Sequence, residues 1–211
     1  MTRDDIQAAY EKHGYDQGWS FMMTPEASLR TATVAMVGLN PGGSAGNVGH
    51  WDHAPGNAYF MQKWSLDETS DSAIQRQVKA IHDVLDIGEN EIFAAQFIPF
   101  RSRDFASLTT VAEDKAFAMR LWTWVVEQSP ARLYLCMGKE VGSAIGQLIG
   151  ASWKEDIATG WGRTKFRRRV SSDGRVVVEM PHPSRYQLFS RGPKHVAVAT
   201  EALKRAARPV G

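Results

Sequence analysis

The stretch Thr33-Val34-Ala35-Met36-Val37-Gly38-Leu39-Asn40-Pro41-Gly42-Gly43 begins as an apolar run and ends as a loop. Its first half reads as a short strand buried on both faces, because no polar residue interrupts it. In its second half proline locks φ and glycine lets a ligand approach the backbone closely. One polar side chain, Asn40, stands between these backbone-fixing residues. A second stretch is built the same way. Arg175-Val176-Val177-Val178-Glu179-Met180 enters the core, and Pro181-His182-Pro183-Ser184 follows with an imidazole between two prolines.

Outward from these stretches, strand-like and helix-like segments alternate. Asp4 to His13 reads as an amphipathic helix. Leu39 to Gly56 is a long loop rich in Gly, Asn and Pro, and loops of that length are often functional. Asp71 to Asp86 sets Ile74, Val78, Ile81 and Leu85 on one helical face. Glu91 to Ile98 is a second apolar strand closed by Pro99. Glu113 to Gln128 reads as a helix with Phe117, Leu121 and Trp124 inward. Arg132 to Met137 is a third strand, followed by Gly138 and a helix to Ile149. Gly162 to Val170 and Arg175 to Met180 flank Ser171-Ser172-Asp173-Gly174, a hairpin turn signature. Pro193 to Arg208 closes the chain as a helix. Such alternation predicts one domain over residues 1–211: an α/β fold, a three-layer α/β/α sandwich around a short, mostly parallel central sheet. Ligands of these sheets bind beyond the carboxyl ends of the strands. The loops after Gly38, Ile98, Met137 and Met180 should therefore meet at one site.

The 211 residues suffice for one full core, and 43% hydrophobic with 23% charged residues is ordinary for a globular protein. One cysteine, Cys136, excludes a disulfide framework and a cysteine-ligated cluster, and it fits a cytoplasmic location. No apolar run approaches a membrane span, and the N-terminal residues carry no signal-peptide core. The net charge of +2 is mild. Its distribution is uneven: basic residues gather at Lys165–Arg169, at Arg185, Arg191 and Lys194, and at Lys204, Arg205 and Arg208. This is either the footprint of a phosphate-backbone partner or a solvated face. On the hairpin, alternation points Arg167 and Arg169 one way and Arg168 the other. His50, Asp52 and His53 lack the carboxylate pattern of a metal site, and no metal is expected there.

Gly38-Leu39-Asn40-Pro41-Gly42 resembles the first motif of the uracil-DNA glycosylase superfamily, in its mismatch-specific and single-strand-selective branches. His182-Pro183-Ser184 resembles the second motif. The similarity to the mismatch-specific branch continues from Asn40 to Phe60, through Gly49, Pro55, Asn57 and the pair Tyr59-Phe60. Each motif alone has an ordinary alternative: Asn-Pro-Gly is a common turn, and Ser184 could cap a following helix. The pair, in order and each at a strand end, is more specific. The resemblance implies a central sheet of four strands and a glycosylase that flips a uracil or related damaged base out of DNA and hydrolyses its N-glycosidic bond. With Lys63 and Lys139 away from the motifs, no catalytic lysine is expected and the enzyme should be monofunctional. It implies a DNA partner, no cofactor, no membrane and a monomer.

By the same resemblance, Asn40 positions water and His182 donates to the departing base. The chemistry agrees. A carboxamide has no useful proton affinity near neutral pH, so it orients water without deprotonating it, and the path should be dissociative. An imidazole can donate to an anionic base in either protonation state. Gly38 and Leu39 should line the pocket. Relatives place an aromatic platform at the position of Asp52, so Trp51 is the candidate for stacking unless it packs the loop. Asp52 could accept from a base amino group. Gln96, at the end of the second strand, should read the base edge or else bond to backbone. Ser184, Arg185, Tyr186, Arg191 and Lys194 should contact DNA, with Tyr186 and Arg185 as wedge candidates. A DNA- or nucleotide-binding module on this fold is the rival reading, and a small-molecule nucleoside hydrolase a second.

Overall fold

Four apolar runs form the centre of the protein in a computed structural model that describes residues 1–43, 45–65, 69–103, 107–108 and 110–210. These runs are β2 (Val34–Gly38), β4 (Ile92–Gln96), β5 (Leu133–Met137) and β8 (Val176–Met180), paired in parallel in the order β4-β2-β5-β8. β7 (Lys165–Val170) and β6 (Ser152–Ala158) continue the sheet antiparallel, so it has six strands. The resemblance implied a sheet of four strands; the sheet is larger, because an antiparallel pair extends the four parallel ones. β7 is the first arm of the expected hairpin. β6 carried no sequence signal, because it is a charged edge strand with only Ile157 buried.

Successive residues on the parallel strands face opposite sides, as the pleat requires. Ala35, Val37, Phe93, Ala95, Tyr134, Cys136 and Val177 pack against α1 (Arg3–Lys12), α5 (Val111–Gln128) and α6 (Lys139–Leu148). Val34, Met36, Ile92, Ala94, Leu135, Met137, Val176 and Val178 pack against α4 (Ala73–Leu85) and α7 (Pro193–Ala207). The chain is thus a mixed α/β fold with helices on both faces of a mostly parallel sheet. The helix ends follow local chemistry. Ser72 and Gln75 close a capping box on α4, Thr2 and Asp5 do so on α1, and Pro193 opens α7. Two short helices, α2 (Ser28–Thr31) and α3 (Ala58–Met61), complete the set among the described residues.

The long loop after β2 is more ordered than its composition suggests. β1 (Trp19–Ser20) pairs in parallel with β3 (Gly49–His50), and Phe21 N and Met22 N donate to His50 O and Trp51 O. That pairing turns residues 49–52 toward the α5 face of the sheet. Trp51 packs 5.3 Å from Phe21 and 6.0 Å from Trp124, and its Nε1 donates to Glu26 Oε2 at 2.9 Å. Gly49 lies flat against the buried Trp19 indole, where an added Cβ would come within 2.3 Å of the ring. Gly49→Ala is therefore expected to lower stability by about 1–3 kcal/mol. The measurement is a lower urea midpoint with an unchanged slope.

Candidate functional site

A cleft of about 890 Å3 opens at the carboxyl ends of the parallel strands, within the size range of ligand sites. Gly38, Gln96 and Met137 reach it from three strand ends, and His182 follows two residues after the end of β8. Asn40 and His182, 142 positions apart in the chain by subtraction of their numbers, thus line one space.

The Asn40 amide is held from one end. Its Nδ2 donates to Ser102 Oγ at 2.8 Å, to Pro41 O at 3.3 Å and to Phe100 O at 3.5 Å. Carbonyl partners fix which end is nitrogen, because they can only accept. Oδ1 accepts nothing among the described residues. The amide therefore offers an oriented acceptor. Ser102 is buried and itself donates its N–H to Pro41 O, so the anchor belongs to the wall of the cleft.

The His182 imidazole is held in one tautomer. Ser184 N donates to Nδ1 at 3.3 Å, and Ser184 Oγ lies 2.8 Å from the same atom. A backbone N–H can only donate, so Nδ1 is the acceptor and the neutral ring carries its proton on Nε2. Burial, and then the Arg185 charge, hold His182 below its ordinary value. This geometry corrects the expectation for Ser184. Both of its donors face the imidazole, so neither is left for a phosphate, and no helix starts there to be capped: α7 begins at Pro193.

Gln96 occupies the floor. It is 6% exposed, its amide lies near the Tyr59 hydroxyl, and its Oε1 is buried without a partner. Burial raises the Tyr59 phenol far above its ordinary value, so it stays protonated. Gln96 lies against Gly38, where a Cβ would come within 2.3 Å of Oε1. Position 38 must therefore lack a side chain for Gln96 to lie there. Leu39 also lines the cleft.

Two expected substrate contacts are not at this site. Trp51 packs its own loop, and Asp52 accepts from Glu26 N at 2.9 Å, so neither lines the cleft. Among the described residues, Tyr59, Trp64 and Tyr186 are the phenol and indole side chains that line it. The sequence reading missed Trp64, which lies four residues beyond the aromatic pair Tyr59-Phe60 and carried no motif. It also missed Arg101, Ser102 and Arg103. Their only signal was position, directly after a buried strand and Pro99.

Of the expected DNA contacts, Arg185 and Tyr186 line the cleft and Arg191 and Lys194 do not. The Arg191 guanidinium stacks 3.1 Å above the Trp161 ring, and Tyr186 meets that ring edge-on at 5.9 Å. Lys194 is exposed in the first turn of α7. The basic hairpin is not a free cationic face either. Arg169 Nε bonds Glu179 at 2.7 Å, Lys165 pairs with Asp156 at 3.1 Å, and Arg167 lies 3.7 Å from Asp156. Arg168 points to the other side, as alternation required, and donates to Arg205 O and Arg208 O at the end of α7.

No family model matches the chain, and no curated protein matches it. Among the described residues, no helix is long and apolar enough to cross a membrane. In 15N NMR, His182 Nδ1 is expected to show the shift of an unprotonated acceptor at pH 7, with titration only below the ordinary imidazole value of about 6.5. A proton on Nδ1 at pH 7 would contradict the assigned tautomer.

Proposed function

We propose that this protein is a monofunctional DNA glycosylase of the uracil-DNA glycosylase type, hydrolysing the N-glycosidic bond of uracil or a related damaged base flipped out of DNA. One observation carries the reading. An amide with a free, oriented acceptor and an imidazole with its proton on the outward nitrogen line the same cleft. N-glycosidic cleavage calls for that pair. The amide oxygen holds water near the electron-deficient sugar carbon, and Nε2–H donates to the oxygen of the departing base anion.

The rest of the lining fits a dissociative path on an anionic polymer. Among the described residues it contains Arg101, Arg103 and Arg185 but no Asp, Glu or Lys. Among the described lining residues no carboxylate is present to deprotonate the water, which fits an amide that orients it. The described lining also holds no lysine amine to form an imine with the sugar, which favours a monofunctional enzyme over a lyase. The unpartnered Gln96 Oε1 favours a base that presents an N–H at its edge, as uracil and hypoxanthine do. Arg185 and Tyr186 stand at the mouth, where a side chain can fill the gap left by the flipped base.

The test is incubation with oligonucleotides carrying uracil, hypoxanthine or hydroxymethyluracil, then alkali, with strand breaks counted. Asn40→Ala is expected to abolish breaks. His182→Ala should slow them by about 2.7–4 kcal/mol of barrier, roughly a hundred- to a thousandfold. Ser102→Ala should lower kcat with KM nearly unchanged, because it loosens the amide without touching the base. Tight binding with no breaks for any lesion would instead support the binding module. Cleavage of free nucleosides alone would support a small-molecule hydrolase.

A further inference from the structure

The Arg101 guanidinium is half-buried in the wall of the cleft beside Asn40. Nη1 donates to Gly42 O at 2.8 Å, Nε is buried without a partner, and no carboxylate pairs with the group among the described residues. A desolvated cation with no counter-ion is costly, and burial indeed lowers its ordinary affinity for its proton. The surrounding field is also positive. His50 is held below its ordinary value by burial and then by the charges of Arg101 and Arg3.

The backbone beside Arg101 has the complementary property. The N–H groups of Gly42 and Gly43 donate to nothing among the described residues. An added Cβ at either glycine would meet nothing within 4 Å, so open space lies beside the loop. Gly43 sits at φ +72°, a left-handed conformation that favours glycine. Arg101 holds the same loop through Gly42 O.

We propose that Arg101, with the Gly42 amide beside it, forms an anion subsite that takes a backbone phosphodiester of the DNA strand, next to the flipped nucleotide. This inference rests on the DNA reading of the same cleft. The planar, always-charged guanidinium offers N–H donors suited to the oxygens of a phosphodiester. The subsite grips the strand on the Asn40 side while Arg185 and Tyr186 engage the His182 side. The reacting sugar then lies between two fixed points.

The test is fluorescence anisotropy with a labelled, lesion-free single-stranded oligonucleotide over a range of salt. Arg101→Gln is expected to weaken binding about tenfold at low salt. It should also flatten the slope of log affinity against log salt by about 0.7, the loss of one phosphate contact on single strands. Arg101→Lys should restore the slope but only part of the affinity, because it keeps the charge and loses the fork. Arg120→Gln, on the exposed side of α5, should change neither. An unchanged slope in Arg101→Gln overturns the subsite even if the wild type cleaves lesions. An Arg101-dependent slope without cleavage keeps the subsite and removes the glycosylase reading. If inorganic phosphate or a nucleoside monophosphate raises the melting temperature through Arg101 while the oligonucleotide does not bind, the ligand is a free phosphate and the phosphodiester assignment is overturned.

Discussion

The parallel pairing of β2 between β4 and β5 is the constraint on which the rest depends. It sets Gly38 opposite Gln96, and it brings the carboxyl ends of the strands to one edge. Only glycine at position 38 leaves room for the Gln96 amide, and only that strand end delivers Asn40 to the same edge. The adjoining pair β5 and β8 brings Met180 level with Met137, so the next turn delivers His182. A register slip of one residue would reverse which face each strand residue occupies and would scatter the cleft. The apolar alternation that builds the two cores is therefore also what aligns the reactive groups.

The arginines divide into two populations. Those on the hairpin and at the chain's end are engaged with carboxylates and carbonyls of the fold. Arg169 meets the buried Glu179, and Arg205 meets Glu155. Arg101, in the wall of the cleft, meets no carboxylate among the described residues. A net charge of +2 conceals this arrangement. The molecule compensates cations where they hold the sheet together and, among the described residues, leaves Arg101 without a carboxylate where the cleft opens. In such a place, charge focused by low-dielectric walls acts strongly on a ligand.

Much of the fold was legible in the sequence. Buried parallel strands are continuous apolar runs, and Val34–Gly38, Leu133–Met137 and Val176–Met180 each fall within a residue of their expected limits. The Asp-Gly turn marked the β7–β8 pair. β6 was invisible because an edge strand shows its charges to water and needs no alternation. β1 and β3, two residues each, exist only through tertiary pairing. That pairing also explains the misplacement of Trp51 and Asp52. Spacing along the chain says which residues follow Asn40, but the path of the loop is set by Trp19 and Ser20. Asn40, His182 and Gln96 could be picked out because each is a polar residue at the end of an apolar strand. Ser102 and Arg101 could not, since their roles arise from contacts with the loop of the first motif some sixty residues earlier.

Arg168 has a consequence for how the chain opens. Its guanidinium carries the carbonyls of Arg205 and Arg208 at 3.0 and 2.7 Å, on a side chain that leaves β7. Chain termini usually fray independently of the domain. Here, unravelling the last turn of α7 would strip a buried cation of its acceptors, so the terminus and the inner arm of the hairpin form one cooperative unit. Amide exchange at the C-terminal end of this helix is thereby tied to the opening of the sheet and not to local fluctuation.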